Sequence, residues 1–348
     1  MPWEGLIQRV LDLGFSSVAA CDASPFGDWL LHITRAGYPE LFPGLSSVGD
    51  PSRVLDGAKS VIVATSDYSS LSVPSAFTGR VARHYLSGLK HRPEREVYRL
   101  FKSVGWRVLT SGPRKAAAVR AGLGSYRRNS LVYSKDSGSF MSIYMWIVDR
   151  EVHYNPAAVV SDCGACARCI NACPTGALHA PYQVNPALCI DTQTRRRHEA
   201  IPRDLRAHMQ GWVYGCDVCQ SVCPYNMRGE VRPDDRAEKL ASMFSLERML
   251  HIGQGEYEAV WRPLFVFNSE VADIQRNVAV AMGNSGDDQY VRALGRALFE
   301  LCPQVRGHAA WALGRLGGRI PRDMLERARK GETDDFVREE IELALGAI

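Results

Sequence analysis

A chain of 348 residues, 46% of them hydrophobic, is too long for one small core and too apolar for wholesale disorder, so two or three domains are expected. Its 42 basic and 38 acidic residues leave a net charge of +4, a mild excess in which the basic side chains are bunched. No apolar run approaches a membrane span, and MPWEGLIQRVLDLGFSS shows neither a basic stretch ahead of an apolar core nor a twin-arginine pair. The expected address is a reducing cytoplasm, with no membrane partner.

Residues 1–20 read as a short amphipathic helix closed by Gly14, then a strand, because Leu6, Ile7, Val10, Leu11 and Leu13 fall near helical spacing. Residues 24–50 are rich in Pro, Gly and Ser, with one helical patch around Trp29 to Ile33. SVIVATSDY, from 60 to 68, is a continuous apolar run of strand length and suits a sheet covered on both faces. A helix over 92–104, a strand in WRVLTSG, a basic helix over 113–121 and a strand in SIYMWIVD follow. This alternation predicts an α/β or α+β domain over residues 1–157. Arg80, Arg83, Arg114, Lys115, Arg120, Arg127 and Arg128 are donors that a phosphate- or amide-bearing cofactor would use, or else a solvated surface.

Residues 158–230 form a second expected domain. Cys163, Cys166, Cys169 and Cys173 follow C-x2-C-x2-C-x3-C-P, the spacing of a bacterial two-cluster ferredoxin. Cys216, Cys219 and Cys223 repeat its end, and Cys189 stands between. Three thiols at steps of three wrap one cubane, and the Cys before Pro is carried to the other. One [4Fe–4S] cluster therefore takes Cys163, Cys166, Cys169 and Cys223, and the second takes Cys173, Cys189, Cys216 and Cys219. Structural zinc does not explain the x3-C-P endings, and disulfides need an oxidising compartment. Arg195, Arg196, Arg197 and His198 are consecutive, with Arg203 and Arg206 close behind. Such a run holds nucleic-acid phosphates or lies along a solvated helix face.

From residue 231 the expected third domain is helical. IQRNVAVAMGNSG, QVRGHAAWALGRLG and FVREEIELALG align on Arg276, Arg306 and Arg338, then on Gly283, Gly314 and Gly346. That repeat marks a short α-solenoid of the HEAT kind. Cys302 lies between repeats and reads as a buried small hydrophobe, and Cys21 ends a strand, with no partner evident in the sequence for either.

Two cubanes move single electrons and do not choose a substrate, so the first domain should hold the acceptor. Neither a G-x-G-x-x-G after a strand nor a P-loop is present. The residues alone lead to a reductase or an electron carrier with an unnamed redox centre.

The chain resembles the epoxyqueuosine reductases, cobalamin-dependent iron–sulfur enzymes related to reductive dehalogenases. The resemblance is carried by LGFSSVA, DPSRVLDGAKSVIV, GRVAR, SGP with RAGLGSYRRNSLVYS, GSF, CGACARCINACPTGALHAPY, CI, IPRDLR, GCDVCQSVCPYN, RNVAVAMGNSG and HAAWALG, nearly end to end. It implies base-off cobalamin held by Arg83 and by Ser111, Gly112 and Pro113, by Arg128, Asn129, Ser130 and Leu131, and by Gly138, Ser139, Phe140 and Met141. It implies that the clusters feed electrons to cobalt, and that the epoxide oxygen of epoxyqueuosine in tRNA is removed to give queuosine. It further implies that the solenoid and the basic run at Arg195, Arg196 and Arg197 hold a tRNA anticodon stem-loop. A low-potential donor of the ferredoxin or flavodoxin type and a monomeric state complete the expectation.

Several departures from the pattern gather on the substrate side. The family's proton-donor Asp before SGP is Thr110 here, and a threonine hydroxyl cannot serve as a tuned carboxylic acid at neutral pH. The family's Cys-Ile-Ser-Tyr-x-Thr-Ile-Glu reads CIDTQTRR, and its Gly-Trp-Ile-Gly-Lys-Asn reads Gly124, Ser125, Tyr126, Arg127, Arg128, Asn129. The segment from Tyr38 to Leu45 lacks the usual His-Gly-x-Met. Three readings stay open: the family's reaction with a substitute acid at Tyr126, Tyr144 or Asp191; a cobalamin reductase of another substrate with a tyrosine acid among Tyr85, Tyr126, Tyr133 and Tyr144; or a non-catalytic electron-transfer or cobalamin-handling protein.

Overall fold

The computed structural model describes residues 2–35, 44–70, 79–86, 93–154, 163–226, 245–262 and 270–348. Residues 38–43 of the altered early segment lie outside the described residues, as do the expected domain boundaries at 157/158 and 230/231. The strands in chain order are β1 (Ser17–Asp22), β2 (Ser60–Asp67), β3 (Arg80–Val81), β4 (Val108–Leu109), β5 (Ser125–Tyr126), β6 (Val132–Tyr133), β7 (Met141–Val148) and β8 (Trp212–Tyr214). The chain divides into two compact units. One comprises Met1–Ser70, Lys90–Ala167 and Cys223–Arg228; the other comprises Leu71–Leu89, Arg168–Val222 and Gly229–Ile348.

The first unit is built on a sheet of order β1-β2-β7-β4 in which every pairing is antiparallel. Ser60 stands opposite Val148 and Asp67 opposite Met141. Successive side chains of a strand point to opposite faces, and both faces are covered, which is why β2 reads as an unbroken apolar run. Ile62, Ala64, Tyr144, Trp146 and Val148 enter one core with Leu6, Val10, Val97 and Phe101 from helices Trp3–Asp12 and Glu94–Ser103. Val61, Val63, Met145 and Ile147 enter the other with Ala117 and Ala118 of helix Arg114–Arg120. Arg120 serves that second face structurally. Its guanidinium lies 3.9 Å over the Phe26 ring and donates to the carbonyls of Ser24 and Pro25.

The second unit has one core, shared by the cysteine-bearing segments and the repeat helices. Helices Val271–Ser285, Pro303–Leu316 and Asp335–Ala347 stack on one another, as the period predicts. The aligned glycines explain how closely they pack. A Cβ on Gly283 would stand 2.8 Å from the Cα of Ala312, and one on Gly314 would stand 2.9 Å from the Cα of Ala344. The aligned arginines have separate tasks. Arg276 is fully buried and donates to the carbonyls of Arg196 (3.1 Å), Gln193 (3.4 Å) and Glu199. Arg306 grips the Glu332 carboxylate at 2.7 and 2.9 Å, and Arg338 pairs with Asp335.

Three other buried polar side chains in this unit make specific hydrogen bonds. Asn277 donates to the carbonyls of Thr194 (2.8 Å) and Val213 (2.9 Å). Arg206 holds Glu340 at 2.8 Å and the Ile201 carbonyl at 2.8 Å. His308 accepts the Ile201 N–H at Nε2 (3.1 Å) and places Nδ1 2.6 Å from the Gln304 carbonyl, so it is the Nδ1–H tautomer. Burial, then the charges of Arg206 and Arg276, hold its pKa well below the ordinary histidine value. Among the described residues no helix is long and apolar enough to cross a membrane.

Candidate iron–sulfur and cofactor site

All ten cysteines are free, and the eight of the two motifs are half-buried, so disulfides do not account for them. Short helices set the spacing. Cys169 lies on Arg168–Asn171, Cys219 on Val218–Ser221, and Cys189 caps Ile190–Arg195. Cys166 N–H donates to the Cys163 carbonyl (3.2 Å) and Cys173 N–H to that of Ile170 (3.2 Å), turning the chain so that thiols recur on its inner side. Cys189 has Cys173 as an electrostatic neighbour, and Cys216 and Cys219 both have Cys189. Cys219 also has Cys169 as such a neighbour, a thiol that the sequence reading gives to the other cluster. Burial pushes the Cys189, Cys216 and Cys219 thiols up, so ligation to iron is what would draw off their protons. Among the described residues no three such groups converge where a single ion would sit; a cubane holds its thiolates apart at its corners.

The second unit, which carries Cys169, Cys173, Cys189, Cys216 and Cys219, also positions Arg83 and Tyr85. Arg83 N–H donates to Asp217 Oδ2 at 2.6 Å, and Gln220 donates to the other oxygen at 3.2 Å. Burial pushes the Asp217 carboxyl up to about 6, against the pull of that Arg83 bond. The Tyr85 hydroxyl donates to Asp191 at 3.0 Å, its ring edge-on to Tyr214. Arg195 pairs with the same carboxylate at 2.8 Å. The basic run is therefore tied down: Arg195 to Asp191, Arg196 to Glu199 (2.8 Å) and Arg197 to Glu270 (2.8 Å).

In the first unit, Thr110 is exposed just beyond β4. Ser111 and Gly112 are half-buried and Pro113 is buried, and the Gly112 carbonyl accepts the Arg114 N–H at 3.0 Å. A tight turn follows β5: Arg127 N–H donates to the Leu131 carbonyl (2.9 Å) and Ser130 N–H to the Arg127 carbonyl (2.8 Å). Arg128 is half-buried in that turn, and the Asn129 side chain accepts the Leu131 N–H at 3.3 Å. Lys115 reaches the Ser130 carbonyl at 3.1 Å, joining the SGP helix to it.

The turn over 128–131 and the loop over 138–141 are brought together by Asn226. Its Oδ1 accepts the Ser139 N–H (2.8 Å), and its Nδ2 donates to Ser139 Oγ (2.8 Å) and Tyr133 Oη (3.5 Å). Asn129 Nδ2 donates to the same Tyr133 hydroxyl at 2.8 Å. Gly138 has a φ of +56°, and a Cβ there would fall 2.1 Å from Asn226 Oδ1, so both conformation and space demand glycine. Phe140 meets Tyr68 edge-on, and Met141 is buried opposite Asp67. Burial, then the Cys223 sulfur that it bonds, holds the Tyr133 hydroxyl well above the ordinary tyrosine range. Sequence reasoning missed Asn226; the available signal was its fixed step from Cys223 in CPYN.

The substitute acids do not share a site. Tyr144 is buried in the aromatic core with Phe15 (5.1 Å, edge-on) and Trp146 (6.3 Å, stacked). Tyr126 packs against the core on the opposite face of the sheet, and burial pushes its hydroxyl up to about 12.

Eight thiols at ferredoxin spacing, followed along the chain by stacked helical repeats, define a two-cluster iron–sulfur protein. Residues 162–226 match the family described as 4Fe-4S double cluster binding domain, and residues 265–346 match HEAT repeats. Epoxyqueuosine reductase of Pseudomonas aeruginosa is 30% identical over 340 residues, covering 88% of this chain and 92% of that protein. The chain spans 59% and 60% of the length of the Bacillus subtilis and Listeria monocytogenes epoxyqueuosine reductases, which it matches at 31% and 32% identity. An epoxyqueuosine reductase solved with an epoxyqueuosine-modified tRNA-Tyr stem loop has a TM-score of 0.84 at 25% identity, over 99% of this chain and 98% of that one. The chain belongs to the epoxyqueuosine reductase family.

Proposed function

We propose that the chain is itself an epoxyqueuosine reductase, using two electrons and two protons to remove the epoxide oxygen of epoxyqueuosine in tRNA as water, leaving queuosine. The observation that carries this reading is the likeness along 99% of the chain to a reductase solved with an epoxyqueuosine-modified stem loop. The full set of eight thiols supports the electron path.

Cobalamin is the second cofactor of this reading, and Ser130 favours it. Its Oγ is buried with no partner among the described residues, and its φ of +59° is one a serine rarely adopts. Ser111, Gly112, Pro113, Arg128, Asn129, Ser130, Leu131, Gly138, Ser139, Phe140 and Met141, with Arg83, would hold the group. When bound, cobalamin supplies the low-potential metal through which electrons reach the epoxide. Of the substitute acids, Tyr126 is the one we retain. Tyr144 is committed to the core, and Asp191 is engaged by Tyr85 and Arg195. A hydroxyl at about 12 gives its proton only to a strong base such as an alkoxide.

For the stem loop, the exposed pair Arg197–Glu270 and the pair Arg196–Glu199 can exchange carboxylate for phosphate at little cost, whereas Arg195 stays with Asp191. A ferredoxin or flavodoxin as donor, a cytoplasmic address and a monomeric state belong to the same proposal. Protein loaded with iron, sulfide and cobalamin, reduced with dithionite and given modified stem loop, should form queuosine detectable by nucleoside mass spectrometry. Thr110→Asp should raise that rate by about 10²–10⁴-fold. No queuosine from either fully loaded protein would sink the reading.

A further inference from the structure

Arg127 is 3% exposed, which makes it one of the deeply buried charges of the first unit. The turn after β5 fixes its backbone at both N–H and carbonyl. Its guanidinium carbon lies 4.0 Å over the Tyr225 ring and 6.0 Å from that of Tyr133. Nη1 points at Cys163 Sγ, 4.0 Å away, and Nε is buried with no hydrogen-bond partner. Among the described residues no carboxylate pairs with it. A guanidinium cannot shed its proton inside a protein, and a buried charge persists only beside a counter-charge. Aromatic faces supply part of that compensation. The remaining compensation lies on the sulfur side: Cys163 is read as a cluster ligand, and a [4Fe–4S] core with four thiolates is anionic and gains one more negative charge on reduction.

We propose that Arg127 is the counter-charge of the cluster that Cys163 ligates, and that it sets that cluster's reduction potential above the value the thiolates alone would give. Net charge, hydrogen bonds to sulfur and exposure are the levers on such potentials. Here a fixed positive charge, shielded from water, faces the ligand sulfur. At 4.0 Å the N–H···S bond is long, so the charge rather than the bond carries the effect. Arg127 thus touches no substrate; it is a positioning residue for the electron, making one of two otherwise similar clusters the better resting place. The inference rests on cluster ligation and not on the substrate, so failure to make queuosine leaves it standing.

The test is an EPR-monitored redox titration of the iron-loaded full chain, with iron counted in each preparation. In Arg127→Gln one midpoint should fall by at least tenfold in the one-electron equilibrium constant, about 59 mV, while the other stays. Arg127→Lys, which keeps the charge, should restore most of the difference. Unchanged midpoints in an iron-replete Arg127→Gln protein overturn the proposal. So does a Lys variant that behaves like Gln, since lost shape rather than lost charge would then be responsible. Should the Gln variant fail to hold its iron, wild-type protein carrying ¹⁵N-arginine decides the matter. Reduced protein should show nitrogen hyperfine coupling that is absent in Arg127→Lys, and its absence from wild type overturns the proposal.

Discussion

Arg206 and Arg276, in the repeat-bearing unit, are as deeply buried as Arg127 in the sheet-bearing unit, yet they are compensated by different means. Arg206 has the Glu340 carboxylate, and Arg276 has the Asp273 carboxylate at 3.8 Å together with backbone carbonyls. Arg127 has aromatic faces and a cysteine sulfur. The first environment supplies Arg206 with a carboxylate and a carbonyl, although its Nη1 is buried with no hydrogen-bond partner among the described residues. The second contains polar atoms, Arg127 Nε and Ser130 Oγ, whose compensation the described residues do not supply. A buried polar group left short of partners calls for an explanation; Arg127 Nε and Ser130 Oγ are two of several such groups among the described residues, and these two lie beside Cys163 and in a loop the family resemblance assigns to cobalamin.

The sharpest way to break this contrast is to remove a ligand. Cys219→Ala should lower iron from about eight to about four atoms per chain and abolish one of the two EPR signals. Loss of all iron, or of none, would contradict the division of the thiols. In the repeat-bearing unit the largest effect should come from Glu340→Ala, which strands Arg206. Breaking a buried pair from one side costs about 3–5 kcal/mol, and the thermal midpoint of the solenoid should fall accordingly. A Glu340→Ala protein as stable as its parent would mean that the pair is not isolated from water.

The smallest expected effect is a pH dependence at His308. Its folded-state pKa lies below the ordinary 6.5, so the unfolded chain binds the extra proton first. The stability contributed by the neutral ring is whole above pH 6.5 and declines as the pH falls below it, by up to about 1.4 kcal/mol per pH unit. Amide hydrogen exchange in helix Pro303–Leu316, followed from pH 7.5 to about 5.5 and corrected for intrinsic rates, should show protection falling with acid. His308→Gln should flatten that profile.

Much of this was written locally in the sequence. The cluster thiols were legible because ligation fixes residue type and spacing together. The repeats were legible because Gly283 and Gly314 recur where helices touch alanines of the next. The run from 60 to 68 announced a strand covered on both faces, but periodicity carries no partner, and the antiparallel order β1-β2-β7-β4 had to come from tertiary pairing. The basic run showed the same blindness: Glu270 lies 73 residues beyond the Arg197 it pairs with, so three adjacent arginines looked freer than they are. Local sequence does not separate Tyr126 from Tyr144, because the first lies on the short β5–β6 hairpin packed against one core and the second on β7 facing the other, a difference set by tertiary packing. Asn226 was overlooked because the loop it pins is 87 residues upstream.

One contact has a temporal consequence. The backbone that flanks Cys189 and leads to Cys216 is clasped by Arg276 and Asn277, through the carbonyls of 193, 194, 196 and 213. On the ribosome, those two side chains emerge only after every cysteine of the motifs has already left the exit tunnel. The segment that presents Cys189 therefore gains its clasp only after the last motif cysteine, Cys223, has been made.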